Sequence, residues 1–158
     1  MKKKTILIVT SILICITAIV CWLFTPSKVA YTPQQNLNAP IEIPAEGIVT
    51  IQEANESQKP QVIMFYVDWC GYCRRFMPKF GEFAKKYADK YTFTVVNCDN
   101  PENKQMVDDF HIMGFPVLFV VDNEVGHKFS LHMGATVDKE IMEEELDNYL
   151  KVREKFLK

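Results

Sequence analysis

Residues 69–73 read Trp-Cys-Gly-Tyr-Cys, two cysteines separated by two residues, just downstream of the six apolar residues 62–67 (Val-Ile-Met-Phe-Tyr-Val). An uninterrupted apolar run of that length has the character of a strand buried on both faces, and residues 74–90 carry helical spacing. The cysteines therefore sit where a strand hands over to a helix, with Cys70 at the helix N-terminus. Unpaired N–H groups and the helix macrodipole favour a thiolate there over a thiol. Cys70 is the candidate nucleophile, and the pair is a candidate redox centre that can close a reducible disulfide.

Three other readings compete. Zinc would need two more ligands, and His127 and His132 lie far outside the spacing of a zinc finger. A purely structural disulfide would close a loop too small to remove much unfolded-chain entropy. Two inert core thiols fit poorly with Gly71, Trp69 and Tyr72, which suit an exposed turn better than a packed interior. The pattern implies no metal and no organic cofactor. His111, His127 and His132 read as ordinary surface or packing residues, and the run 143–145 (Glu-Glu-Glu) as a solvated helix face.

The N-terminus carries the second strong constraint. Residues 5–24 are twenty residues without a charge, preceded by Lys2, Lys3 and Lys4, and about 20 residues span a bilayer core. A cleaved signal peptide would have an apolar region of about 7–15 residues and a small-x-small site. The candidates at 25–27 and 28–30 are poor, and the residues before Cys21 do not suit lipidation. The expectation is an uncleaved anchor: 1–4 a cytoplasmic basic tail, 5–24 a single transmembrane span, 25–45 a Pro-rich linker, and 46–158 one folded domain. Because lysines mark the cytoplasmic flank, that domain is expected on the periplasmic or extracytoplasmic side. Without the three leading lysines, 15 basic residues face 20 acidic ones, a formal charge of −5, which makes nucleic acid an unsuitable partner. An oxidising compartment would let a Cys70–Cys73 disulfide persist unless something reduces it. Cys15 and Cys21 fall in the expected span, and Cys98 is expected to be buried as a small hydrophobe.

Along the folded part, 48–51 reads as a short strand and 52–59 as a polar, single-turn helical stretch. After the buried strand, Phe76, Phe80, Phe83 and Tyr87 form an apolar helical stripe that Pro78 should kink. Residues 91–98 read as a strand, 102–110 as a short helix, 117–121 as an apolar strand and 125–133 as an alternating edge strand. A last helix runs from after Thr136 towards Lys158, acidic in its first turn and basic in its last.

With these elements in order, the chain resembles the thioredoxin superfamily over about residues 47–150. Residues 69–73 look like its active-site motif, Pro78 falls where the family kinks its helix, Gly114-Phe115-Pro116 resembles the loop carrying its cis-proline, and Gly134-Ala135 resembles the glycine before its last helix. The resemblance implies an α/β thioredoxin-like fold, a central mixed sheet flanked by helices. It implies that Cys70 attacks a substrate disulfide, that Cys73 resolves the mixed disulfide, and that Trp69, Gly71, Tyr72, Phe115 and a cis Pro116 shape the substrate groove. Partners would be proteins bearing thiols or disulfides and a membrane or periplasmic redox partner. Two departures stand out. Met64 occupies the position where the family commonly buries an acid, with Val95 in place of the lysine that often faces it, and Gly-Tyr between the cysteines is closer to periplasmic isomerases than to reductive thioredoxins. The expected function is a thiol–disulfide oxidoreductase with the reductase direction favoured. An isomerase or oxidase, or a non-catalytic binding or assembly module, is the alternative.

Overall fold

The computed structural model describes residues 39–158. In chain order the elements are β1 (Ile48–Val49), α1 (Ile51–Glu56), β2 (Gln61–Tyr66), α2 (Gly71–Lys86), β3 (Thr92–Asn97), a 3₁₀ turn (Pro101–Asn103), α3 (Lys104–Asp109), β4 (Val117–Asp122), β5 (His127–Ser130), a second 3₁₀ turn (Met133–Thr136) and α4 (Lys139–Phe156). The five strands form one mixed sheet in the order β1-β3-β2-β4-β5. β1 and β2 run parallel to β3, whereas β2–β4 and β4–β5 are antiparallel.

The apolar run at 62–67 becomes β2 because helices cover both faces of the sheet, and every residue of β2 is buried. The pleat divides its side chains between two cores. Val62, Met64 and Tyr66 join Phe76, Phe80, Phe83, Phe93, Leu118, Val120 and Leu146 on one side. Ile63 and Phe65 join Val96, with Ile51, Met106, Phe110 and Phe119 packed against them, on the other.

Several boundaries move for local reasons. The stretch expected as a single helical turn is the six-residue α1. A reciprocal cap stabilises it: Thr50 N–H donates to Glu53 Oε2 at 2.8 Å and Glu53 N–H to Thr50 Oγ1 at 3.2 Å. α2 starts at Gly71 rather than at 74 and stops at Lys86 rather than at 90, where the chain turns so that Tyr91 N–H reaches the Tyr87 carbonyl at 2.9 Å. Pro78 lies within α2, where it removes the donor that the Arg74 carbonyl would otherwise receive. The edge strand contracts to His127–Ser130, and α4 begins at Lys139 with Asp138 as its cap, Asp138 Oδ1 accepting from Glu140 N–H at 2.9 Å.

The expected linker 25–45 needs one correction, because its last residues, 39–45, pack on the domain. Ile41 is buried, and its N–H donates to Asp68 Oδ1 at 2.7 Å. Pro44 lies so close to Gly81 that a Cβ there would meet it at 2.7 Å, and Gly47 turns at φ +84° against the Ala84 backbone. The expected span 5–24 lies outside the described residues. Among the described residues no helix is long and apolar enough to cross a membrane.

Candidate active site

The end of β2 delivers Cys70 to the first position before α2, where its extended backbone (φ −79°, ψ 107°) makes it the N-cap residue. Its Sγ accepts the Cys73 N–H at 3.1 Å. One of the orphan donors of the helix start is thus aimed at sulfur. On its other side the Cys70 thiol donates to the Phe115 carbonyl at 3.7 Å, and Phe115 is joined to Pro116 by a cis peptide. Two segments far apart in sequence therefore converge on Cys70.

The two thiols are free in this structure and differ in environment. Cys70 keeps 7% of its surface, whereas Cys73 is sealed at 0% among Met64, Phe76 and Met77 of the same core. Burial pushes the Cys73 thiol up to about 12, and the adjacent Cys70 sulfur adds to the effect. Burial likewise raises Cys98 to about 11, with Asp99 contributing. Cys98 is half-buried at the end of β3, its N–H donating to the Tyr66 carbonyl at 2.8 Å. Met64 is fully buried and pairs in register with Val95, so the position in question holds a thioether and no proton acceptor.

Around this pair stand exposed aromatics. Trp69 is 58% and Tyr72 68% exposed. Trp69 meets the Phe115 ring edge-on at 6.0 Å between centroids, and the Arg75 guanidinium lies 4.6 Å from the Tyr72 centroid. Gly71 opens the helix with free space around it: an added Cβ would meet Arg75 Nη1 at 3.6 Å and nothing closer. Beside Pro116 a cavity of about 430 Å³ runs between α2 and the segment before α4, lined by Tyr72, Arg75, Phe76, Lys79, Pro116, Thr136 and Val137. The lining of this cavity includes Tyr72, next to Cys73, but neither cysteine, and a larger cavity of about 670 Å³ between β5 and α4 is lined by residues remote from both in sequence. Its chemistry is that of a surface cleft, and the redox site is placed by the sulfur atoms.

Sequence reasoning missed the brace behind the motif. Asp68 Oδ1 accepts from Ile41 N–H, and its Oδ2 accepts from Asn97 Nδ2 at 2.9 Å. Arg74 Nη2 donates to the Asp68 carbonyl at 2.6 Å and also to that of Ala39. Together these bonds fix the loop that carries Trp69 and Cys70 to β3 and to the segment before β1. The only local signal was a carboxylate immediately before the motif and a guanidinium immediately after it. The histidines stand apart from the cysteines: His127 packs on Tyr149 and Phe156, and His132 Nδ1 accepts from Gly134 N–H at 3.0 Å.

Comparison with known proteins agrees with this geometry. The family model described as Thioredoxin matches residues 50–148. The chloroplastic thioredoxin-like protein HCF164 of Arabidopsis thaliana is 37% identical over 73 residues, 46% of this chain and 28% of that protein, so the chain spans less than a third of this relative. Thioredoxin 1 of Nostoc is 32% identical over 99 residues, 63% of this chain and 88% of that protein. Among solved structures, a poplar thioredoxin h mutant superposes with a TM-score of 0.57 at 19% identity, covering 72% of this chain and 90% of the other. A strand-to-helix cysteine pair beside a proline loop, on a sheet of this topology, within a matched span of residues 50–148, establishes that the chain belongs to the thioredoxin family.

Proposed function

We propose that the protein is a membrane-tethered reductase of protein disulfides acting outside the cytoplasm, with Cys70 as the attacking and Cys73 as the resolving cysteine. The observation that carries this reading is the asymmetry of the two thiols: Cys70 Sγ receives a helix N-terminal N–H at 3.1 Å in a residue that keeps 7% of its surface, and Cys73 is fully sealed. Cys70 thiolate attacks one sulfur of a substrate disulfide, the substrate S–S bond breaks, and the departing sulfur takes up a proton. Cys73 then loses its proton and attacks Cys70 Sγ. The second substrate thiol leaves, and two electrons have passed from the protein to the substrate, leaving a Cys70–Cys73 disulfide. Oxidation of substrate thiols is the same sequence reversed, and a difference of 30 mV in potential, worth about 1.4 kcal/mol, shifts the balance between the two.

The reductase direction is favoured because an oxidising compartment already supplies oxidants, and recharging would fall to an electron donor in the membrane. The groove beside Pro116, with Trp69, Gly71, Tyr72 and Phe115 around it, would hold the extended chain of the substrate. Cys73→Ser should trap clients as mixed disulfides on Cys70, visible as dithiothreitol-sensitive adducts. Adducts on Cys98, or none in a variant that folds, would refute the assignment. The tether rests on residues 5–24 and the lysines before them. Full-length protein should stay in the pellet after alkaline carbonate extraction, and a soluble product starting near residues 27–31 would refute anchoring.

A further inference from the structure

The groove beside the cysteine pair carries an unbalanced charge. Its apolar lining comes from Phe76, Pro116 and the exposed Val137, and its α2 wall presents Arg75 and Lys79. These two residues are four apart on one helix and both are exposed, so their Cα atoms are about 6 Å apart along the axis. Five other cations of this acidic domain are matched, Lys85 with Glu46, Lys86 and Lys139 with Glu143, Lys104 with Asp108, and Arg153 with Asp122 and Glu124, whereas the lining of this groove holds two cations and no carboxylate. Among the described residues, Arg75 and Lys79 have no carboxylate within 4.0 Å. Arg75 lies over the Tyr72 ring instead. The Asp138 carboxylate, which caps α4 through Glu140 N–H at 2.9 Å, is held below its ordinary value chiefly by that cap, with Lys79 a smaller contributor.

Resting on the reading of this site as a disulfide reductase, we propose that the groove selects extended protein segments bearing carboxylates at alternate positions beside the disulfide cysteine, with Arg75 and Lys79 as the residues that set this specificity. Alternate side chains of an extended segment lie about 6.6–7 Å apart on one side, which matches the spacing of the two cations along α2. The apolar lining receives the intervening contacts, and the charges steer and register the segment so that its sulfur reaches Cys70.

The test uses the full-length chain, reduced beforehand and freed of reductant, in single turnover against three internally quenched disulfide peptides. These differ only in carrying Asp, Asn or Lys at alternate positions on both sides of the cysteine. Each turnover oxidises Cys70 and Cys73 to a disulfide and reduces one peptide disulfide to two thiols, so no other reductant is needed. At low ionic strength the Asp peptide should react roughly tenfold faster than the Lys peptide, with Asn between them, since two exposed charge pairs are each worth a few-fold. The preference should shrink towards parity at about 0.5 M salt. Arg75→Glu combined with Lys79→Glu should invert the order. The single variants Arg75→Gln and Lys79→Gln, which retain a long polar side chain, should each lose about half of the preference on a logarithmic scale. Equal rates for the three peptides at low salt, or an order unchanged in the variants, would overturn the charge proposal while leaving the reductase reading intact. Failure to reduce any of the three would instead overturn the reductase reading beneath it.

Discussion

Met64 and Cys73 define the chemistry that distinguishes this site at the scale of single residues. The thiol of Cys73 is held up to about 12 by burial, and the buried residue at position 64 has no group to take its proton. Resolution of the mixed disulfide is therefore expected to limit turnover, and to quicken by about tenfold per pH unit between pH 7 and 9 as the thiolate fraction grows. Met64→Asp places a carboxylate in the core, at a cost of a few kcal/mol if it stays unpaired, and supplies a general base. Stopped-flow decay of a mixed disulfide should be faster and less steep in pH in this variant, with a lower urea midpoint. A folded variant with unchanged decay would make Met64 a packing residue only. The same raised thiols predict alkaline sensitivity of the reduced protein. Cys73 and Cys98 lie above the ordinary thiol value of 9.0 in the folded state. The stability they confer as neutral thiols is intact below about pH 9 and is lost as pH climbs towards 11 and 12. Urea midpoints should fall between pH 8 and 10.5, and fall less in Cys73→Ala. The cysteine motif was legible because its chemistry is local. Asp68, Arg74 and Asn97 were not, because Asp68 finds its partners 27 and 29 residues away, at Ile41 and Asn97.

Among the elements, those defined by their own pattern could be read and those defined by a neighbour could not. The apolar runs of β2 and β4 and the aromatic stripe of α2 announce burial directly. The segment 39–47 has the proline-rich composition of a tether, and its packing depends on Pro44 meeting a residue without a side chain on α2. Gly81→Ala tests that contact. Alanine is the better helix former by about 1 kcal/mol, yet its Cβ would lie 2.7 Å from Pro44, an overpacking that costs typically 1–3 kcal/mol. Net destabilisation in urea is expected, and a stabilised variant would show that the segment gives way freely. The last helix is held by a second contact invisible in sequence. Asp122 is 1% exposed and accepts from Arg153 Nε at 2.6 Å and from Tyr149 OH at 2.9 Å. Arg153→Met leaves that carboxylate without its charge partner and should cost about 3 kcal/mol. Adding Asp122→Asn should recover much of the loss, and equal stability of the single and double variants would show that the buried charge is not what Arg153 offsets.

The described residues join a braced cysteine loop to a sheet whose two faces are closed by helices, and the proposed function rests on one atom, Cys70 Sγ, at the junction. The proposed location outside the cytoplasm is an expectation from the N-terminal sequence alone, while the described residues supply the fold, the thiol asymmetry and the groove. The direct measurement is reduction of insulin disulfides by the full-length chain with dithiothreitol as electron donor, comparing the wild type with Cys70→Ser. The wild type should accelerate precipitation of the insulin B chain well above the dithiothreitol background. Cys70→Ser, folded by circular dichroism, should return the rate to that background. Undiminished acceleration in Cys70→Ser, or none in the wild type, would contradict the assignment of Cys70 as the nucleophile of a thiol–disulfide reductase.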